Sequence, residues 1–248
     1  MGMEWRDIGF VLAARRHGEG ALIVELLTAE HGRHAGLVRG GQTPRRRALF
    51  QPGNLLAAQW RGRLPEHLGM LECELLRAYA APLIDDPDRL GGLAAAAALV
   101  AVALPEREPH ADIYASFAAL IGALDSGGDW AQHYVGWERD LLAALGFGLD
   151  LSRCAATGGT ADLAYVSPRT GRAVSRAAGA PYHDKLLPLP GFLWREAASD
   201  AAAITAGLAL TGYFLERHLL APQGRALPES RRLFCDRMRR AAAAGTMD

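Results

Sequence analysis

Alternation of apolar and polar positions governs the first third of the chain. Ile8, Phe10, Leu12 and Ala14 alternate with small or polar neighbours, the period of a half-buried strand. His17, Gly18, Glu19 and Gly20 then read as a turn. Residues 22–27 form a second apolar run, ended by Glu30, His31 and Gly32. Residues 35–38 are a third, 55–60 a fourth and 68–79 a fifth. Five short strands separated by turn signals predict a small barrel or sandwich. Among five-stranded barrels the OB fold binds single strands of nucleic acid, but the pattern alone does not separate it from an SH3-like barrel.

After Tyr79 the period changes to that of helices. Asp86 is placed as an N-cap with Pro87 at the first helical position, and the alanine-rich run to Leu104 stops at Pro105. Ile113, Phe117, Leu120, Ile121 and Leu124 form a second stripe, closed by Gly127 and Gly128. Asp129 is expected to cap a third helix with Trp130, Tyr134, Trp137, Leu141 and Leu145 on one side, ending at Gly146. That aromatic stripe is read as core. Between 146 and 190 regular patterns fail, and the turn residues predict two short hairpins. Ser199 is expected to start a helix bearing Ile204, Leu208, Phe214 and Leu215. A last helix from Pro228 carries Leu233, Phe234 and Met238.

Composition narrows the class. The chain has 248 residues, half of them hydrophobic, enough for one or two domains with a real core. The net charge of zero hides a pattern: 11 basic against 8 acidic residues up to Tyr79, 3 against 11 from Ala80 to Asp150, and 13 against 8 beyond. Basic ends can therefore meet nucleic acid despite the neutral total. Three widely spaced cysteines, Cys73, Cys154 and Cys235, suggest free thiols in a reduced cytoplasm. The longest apolar run, 93–104, is too short to span a bilayer, so no membrane role is expected.

Lys185 is the sole lysine and lies outside any glycine-rich turn, which excludes a P-loop. No HExxH or GxSxG occurs, and the run Asp85-Asp86-Pro87-Asp88 is better explained as a helix start than as a nuclease metal site. No enzymatic activity and no cofactor are expected.

The positive charge is organised around LVRGGQTPRRRALFQPGNLL, residues 37–56. Glycines followed by proline place Arg45, Arg46 and Arg47 on a surface connection, where guanidinium forks suit phosphate oxygens. A merely solvating loop is the competing account. Arg15 and Arg16 at the first hairpin, Arg33 and Arg39 on the third strand, and Arg61 and Arg63 after Trp60 extend the candidate DNA-binding set. Trp60 beside arginines suits base stacking, although a large aromatic is more often core. Arg231, Arg232, Arg237, Arg239 and Arg240 suit either the macrodipole of the last helix or a second phosphate patch.

Three segments carry a family resemblance: EWRDIGFVLAARRHGEGALIVELLTAEHGRHAGLVRGG, RRRALFQPGNLL and LLAALGFGLDLSRCAATGGTADLAYVSPRTGRAVS. They resemble the RecO family of bacterial recombination mediators. The resemblance implies an α+β chain. Residues 1–80 would form an OB-fold barrel and 81–248 a helical domain, with a zinc-finger-like hairpin insert at about 150–185 that lacks its metal ligands. It implies binding of single- and double-stranded DNA, annealing of complementary strands, and loading of RecA onto DNA coated by single-strand binding protein. Implied partners are RecR and the acidic C-terminal tail of single-strand binding protein, with RecF and RecA beside them. The implied location is cytoplasmic, at the nucleoid during repair.

Zinc-binding members hold the metal with four cysteines in two CxxC pairs. Here Cys154 matches the first, but Thr157, Ser175 and Ala178 stand at the other three. Even with His183 nearby the set is two ligands short of a tetrahedral site, so no metal is expected. The tail of single-strand binding protein would need an arginine beside an apolar groove. Arg139 is the candidate, with a helix-surface pair to Glu138 or Asp140 as its alternative. The runner-up function is a protein–protein adaptor whose barrel binds a partner peptide, with little direct contact to DNA.

Overall fold

The computed structural model of the protein describes residues 2–64 and 66–245. It is a mixed α+β chain with an N-terminal sheet and a helical remainder. By packing it divides into two compact units, Met1–Ser126 with Pro228–Arg231, and Gly127–Leu227 with Arg232–Asp248.

In the first unit, strands β1 (Met3–His17), β2 (Ala21–Thr28), β3 (Gly32–Val38), β4 (Leu55–Gly62) and β5 (Met70–Arg77) are antiparallel except where β3 meets β5. Their order is β1-β2-β3-β5-β4, and β4 returns to β1 to close a barrel. The first half of β1 pairs with β4 and the second half with β2, with a bulge between Val11 and Ala13. A bulge bends a strand, which lets one long strand serve both sides of a closed sheet.

β1 begins at Met3, five residues before the alternation seen in sequence. The hidden half carries Asp7, a carboxylate whose side chain is nearly buried and bonded to His31. The barrel core is Val11, Leu22, Val24, Leu26, Leu56, Trp60 and Leu71 with their neighbours. Gly69 has a φ of +62°, and a Cβ there would lie 2.4 Å from the Trp60 indole, so only glycine lets the chain pass the ring.

The surface connection that carries the arginine triplet is itself a turn of helix. α1 (Pro44–Arg47) is a single turn with proline at its start, closed by the Arg47 amide donating to the Thr43 carbonyl at 2.9 Å.

Two helices of the same unit cover the opposite side of β1. α2 (Pro87–Ala103) is capped by Asp86, which accepts from the Arg89 amide at 3.0 Å, as expected, and its C-cap is Leu104 before Pro105. Ala95, Ala96, Ala97, Leu99 and Val100 are all fully buried there. α3 (Ala111–Ser126) sets Phe117 and Tyr114 against Phe10, with ring centroids 5.5 and 5.6 Å apart. Burying a side chain such as Phe10 contributes roughly 1.5–3 kcal/mol.

In the second unit, α4 (Trp130–Ala144) packs on α6 (Ala201–Phe214). Asp129 occupies the cap position of α4 but makes no side-chain cap bond. Asp200, rather than Ser199, caps α6 by accepting from the Ala203 amide at 2.7 Å. Between them lies one three-stranded sheet, in place of the two separate hairpins expected. Its strands are β6 (Leu163–Val166), β7 (Ala173–Ser175) and β8 (Leu187–Pro188), in the order β7-β6-β8. β6 and β7 form a hairpin, and the short α5 (Arg176–Gly179) with a 3₁₀ turn leads the chain back to β8. α7 (Glu229–Ala243) is the last helix among the described residues, with Phe234 and Met238 buried and Leu233 exposed. No helix among the described residues is long and apolar enough to cross a membrane.

Candidate nucleic-acid interface

Arg15 and Arg16 close β1 at its hairpin, Arg39 leaves β3, Arg45 and Arg47 lie on α1, and Arg63 follows β4. All six are exposed, and none has an ion pair or side-chain hydrogen bond among the described residues. Arg46 is exposed too, but it folds back to donate to the Arg39 carbonyl at 2.9 Å, which ties α1 to the end of β3. Arg6, overlooked in sequence because it precedes the visible alternation, adds another exposed guanidinium on β1 with no ion pair among the described residues.

The remaining two sequence candidates have internal partners. Arg61 is bridged to Glu4 at 3.1 Å, with Glu72 at 4.0 Å. Arg33 is almost enclosed. It donates to Glu25 at 2.9 Å and to the Leu104 carbonyl at 3.0 Å, and it has Glu106 at 3.5 Å. A guanidinium so occupied offers little to phosphate, and it joins β3 to the segment that ends α2.

Trp60 is core. It is 1 % exposed, and its indole N–H donates to the Leu68 carbonyl at 2.9 Å. Trp5 is half-buried, but its faces are taken by His31 at 4.2 Å and Trp60 at 6.0 Å in near-parallel stacks. Base stacking on either ring would require repacking, so neither offers an open face beside the arginines. His34 sits edge-on to both rings, 4.9 Å from Trp5 and 5.0 Å from Trp60, with neither ring nitrogen hydrogen-bonded. Burial holds its pKa down to about 4, assisted by the charges of Arg107 and His31.

In the second unit Arg139 is bonded to Asp140 at 2.8 Å and donates to the Leu193 carbonyl at 2.7 Å. The neighbouring-pair account is therefore realised with Asp140. Glu138 instead turns inward and accepts from the Thr211 hydroxyl at 2.5 Å.

Cys154 lies 3.5 Å from the Ser175 hydroxyl and accepts from the Ser175 amide at 3.3 Å. Burial pushes this thiol up, but hydrogen bonds from the side chains and backbones of Ser175 and Thr157 outweigh it and bring the pKa to about 6. One sulfur among hydroxyls is not a donor set for tetrahedral zinc. His183 is engaged elsewhere, with the Ala180 carbonyl and Asp184.

Comparison with known proteins matches this chain along nearly all of its length. A family model described as Recombination protein O N terminal matches residues 1–79, and one described as Recombination protein O C terminal matches 84–226. DNA repair protein RecO of Rhodospirillum rubrum is 57% identical over 249 residues, covering 98% of this chain and 99% of that one. The protein of the same name from Rhodospirillum centenum is 55% identical over 241 residues, covering 96% of each. That of Phenylobacterium zucineum is 52% identical over 237 residues, covering 95% of this chain and 98% of its own. The chain belongs to the RecO family of DNA repair proteins.

Proposed function

We propose that this protein is a recombination mediator that binds single- and double-stranded DNA, anneals complementary strands and helps load RecA onto DNA coated by single-strand binding protein. The observation that supports this reading is the exposed, unpaired set Arg15, Arg16, Arg39, Arg45, Arg47 and Arg63 on one barrel. Neutralising the phosphates of two strands at once lowers their repulsion and raises their local concentration, so that bases pair. The work is positional and electrostatic, with no covalent step and no cofactor. In this reading the barrel, residues 1–80, is an OB fold, and 81–248 form a helical domain. The sheet at about 150–185 is a zinc-finger-like insert held by hydrogen bonds around Cys154. RecR, RecF and RecA are partners, Arg139 is the contact for the acidic tail of single-strand binding protein, and the protein acts in the cytoplasm at the nucleoid.

The test is fluorescence anisotropy of a labelled single-stranded oligonucleotide over a salt titration. Wild type is compared with an Arg45→Ala, Arg46→Ala, Arg47→Ala variant. Each phosphate contact on a single strand contributes about 0.7 to the slope of log affinity against log salt. The variant is expected to bind more weakly with a slope shallower by up to about 2, three contacts at that value. Equal affinity and equal slope would remove α1 from the interface.

A further inference from the structure

The irregular connection from β4 to β5 carries Arg63 and the exposed Leu64, and its carbonyls are gripped one after another. The Trp60 indole N–H donates to the Leu68 carbonyl at 2.9 Å, and the Leu37 amide to the Gly69 carbonyl at 3.0 Å. The Arg107 guanidinium donates to the Glu66 carbonyl at 2.9 Å, with the His67 carbonyl at 3.5 Å. The His67 amide closes the turn onto the Leu64 carbonyl at 3.1 Å. Trp60 and Leu37 are barrel residues, whereas Arg107 comes from the segment between α2 and α3.

That segment is fitted to the barrel with little freedom. Glu106 pairs beside Arg33 of β3, and the Arg107 amide donates to the Arg33 carbonyl at 2.8 Å. The two chains pass so closely that a Cβ on Gly32 would lie 2.0 Å from the Glu108 carbonyl oxygen. Arg107 itself has a φ of +63°, the left-handed region that side chains other than glycine, asparagine and aspartate seldom adopt. Residues held in such conformations cluster at ligand clamps and switch regions, where the surrounding structure fixes them. Here the backbone is fixed by Arg33, and the side chain reaches the β4–β5 connection. Its side chain is 29 % exposed, its Nε is buried without a hydrogen-bond partner, and Glu106 is 3.8 Å from the nitrogen that holds the two carbonyls. The guanidinium that this connection offers to solvent is instead that of Arg63. Glu66 is exposed on the same turn, so a loose turn would let a carboxylate approach whatever phosphate Arg63 meets.

We propose that Arg107 is a positioning residue of the DNA interface: by holding the Glu66 and His67 carbonyls it fixes the β4–β5 connection with Arg63 ready for a phosphate. This role rests on the DNA-binding reading of Arg63. A turn ordered in advance avoids the ordering cost that a loose one meets on binding. The test is a double-mutant cycle on the full-length protein, with a labelled single-stranded oligonucleotide and a salt titration. The variants are Arg63→Ala, Arg107→Asn and the two together. Asparagine tolerates the left-handed backbone but is too short to reach the carbonyls. Each single variant is expected to bind more weakly, with a salt slope shallower by up to about 0.7, one phosphate contact on a single strand. The double variant is expected to bind no more weakly than Arg63→Ala alone, and Arg107→Lys, long enough to reach, to recover part of the loss. In Arg107→Asn the His67 amide is expected to exchange its hydrogen about tenfold faster or more, while the amides of β2 keep their rates. Additive losses in the double variant would overturn the proposal, because Arg107 would then be a phosphate contact itself or a support of the whole barrel. So would wild-type binding by Arg107→Asn where Arg63→Ala binds weakly, an outcome that leaves the DNA reading standing. Wild-type binding by Arg63→Ala would remove the contact at this turn, and the role of Arg107 with it.

Discussion

Asn54 is the residue whose loss should tell most about how the arginine turn is held. It is 2 % exposed and sits just before β4. Its side-chain amide donates to the carbonyls of Ala48 and Leu49, each at 3.1 Å, which follow directly on α1. Its side-chain oxygen accepts from the amides of Tyr79 at 3.0 Å and Ala80 at 3.2 Å, where the chain leaves β5. One side chain thus ties the arginine turn to the end of the barrel. Asn54→Ala deletes four hydrogen bonds and strands four backbone groups. At about 1 kcal/mol net for each, the loss is about 4 kcal/mol, reduced to about 3 if a water enters the gap. Asn54→Asp keeps an acceptor for the two amides but turns a carboxylate toward two carbonyl oxygens, so it should be no milder. Urea unfolding followed by tryptophan fluorescence checks both, with the m value monitored for a change in the cooperative unit. A loss below about 1 kcal/mol for the alanine variant, within the worth of a single hydrogen bond, would refute the claim that these four bonds act together.

Four further outcomes follow from these groups. His34 has a folded pKa lowered from 6.5 to about 4. Between those values the unfolded chain binds the proton and the folded chain does not, so stability falls as pH drops from 6.5 toward 4. Nuclear magnetic resonance of the His34 ring should show it neutral down to about pH 5, and a midpoint near 6.5 would contradict the burial argument. Cys154, with its pKa brought from 9.0 to about 6, has the opposite charge type but the same direction. Its contribution is full above pH 9 and lost as pH falls toward 6, and Cys154→Ser should flatten that part of the stability profile. The purified protein should also melt at the same temperature with and without a chelator; one zinc per chain by elemental analysis would defeat the reading of that site. Arg139→Glu should weaken binding of an acidic, hydrophobic-ended tail peptide at least tenfold, and an unchanged affinity would leave Arg139 as no more than the partner of Asp140 and the Leu193 carbonyl.

The strands and helices that bury one clean face were legible in the chain because period 2 and period 3.6 survive there. The turns at Gly18 and Gly32, the cap at Asp86 and the stop at Pro105 belong to that group. The first half of β1 was not, because Asp7 occupies a largely buried position and is made tolerable by His31, 24 residues away. Arg33 looked like its neighbours in sequence and differs only because Glu25, Leu104 and Glu106 converge on it. Trp60 reads either way in the sequence; Gly62 and Gly69 against its ring are what make it core.

The Phe10 face and the Arg33 clamp bear on how this protein can be divided. The family models part company between residues 79 and 84, yet Tyr114 and Phe117 against Phe10, and the Leu104 carbonyl and Glu106 on Arg33, come from 104–117. A fragment cut at Tyr79 would carry every strand of the barrel and still lack one wall. Its Phe10 ring would be wetted, and a guanidinium would be released from most of its partners. Modular shuffling of this barrel between proteins therefore has to move α2 and α3 with it, and the smallest transferable piece is about half as long again as the sheet itself.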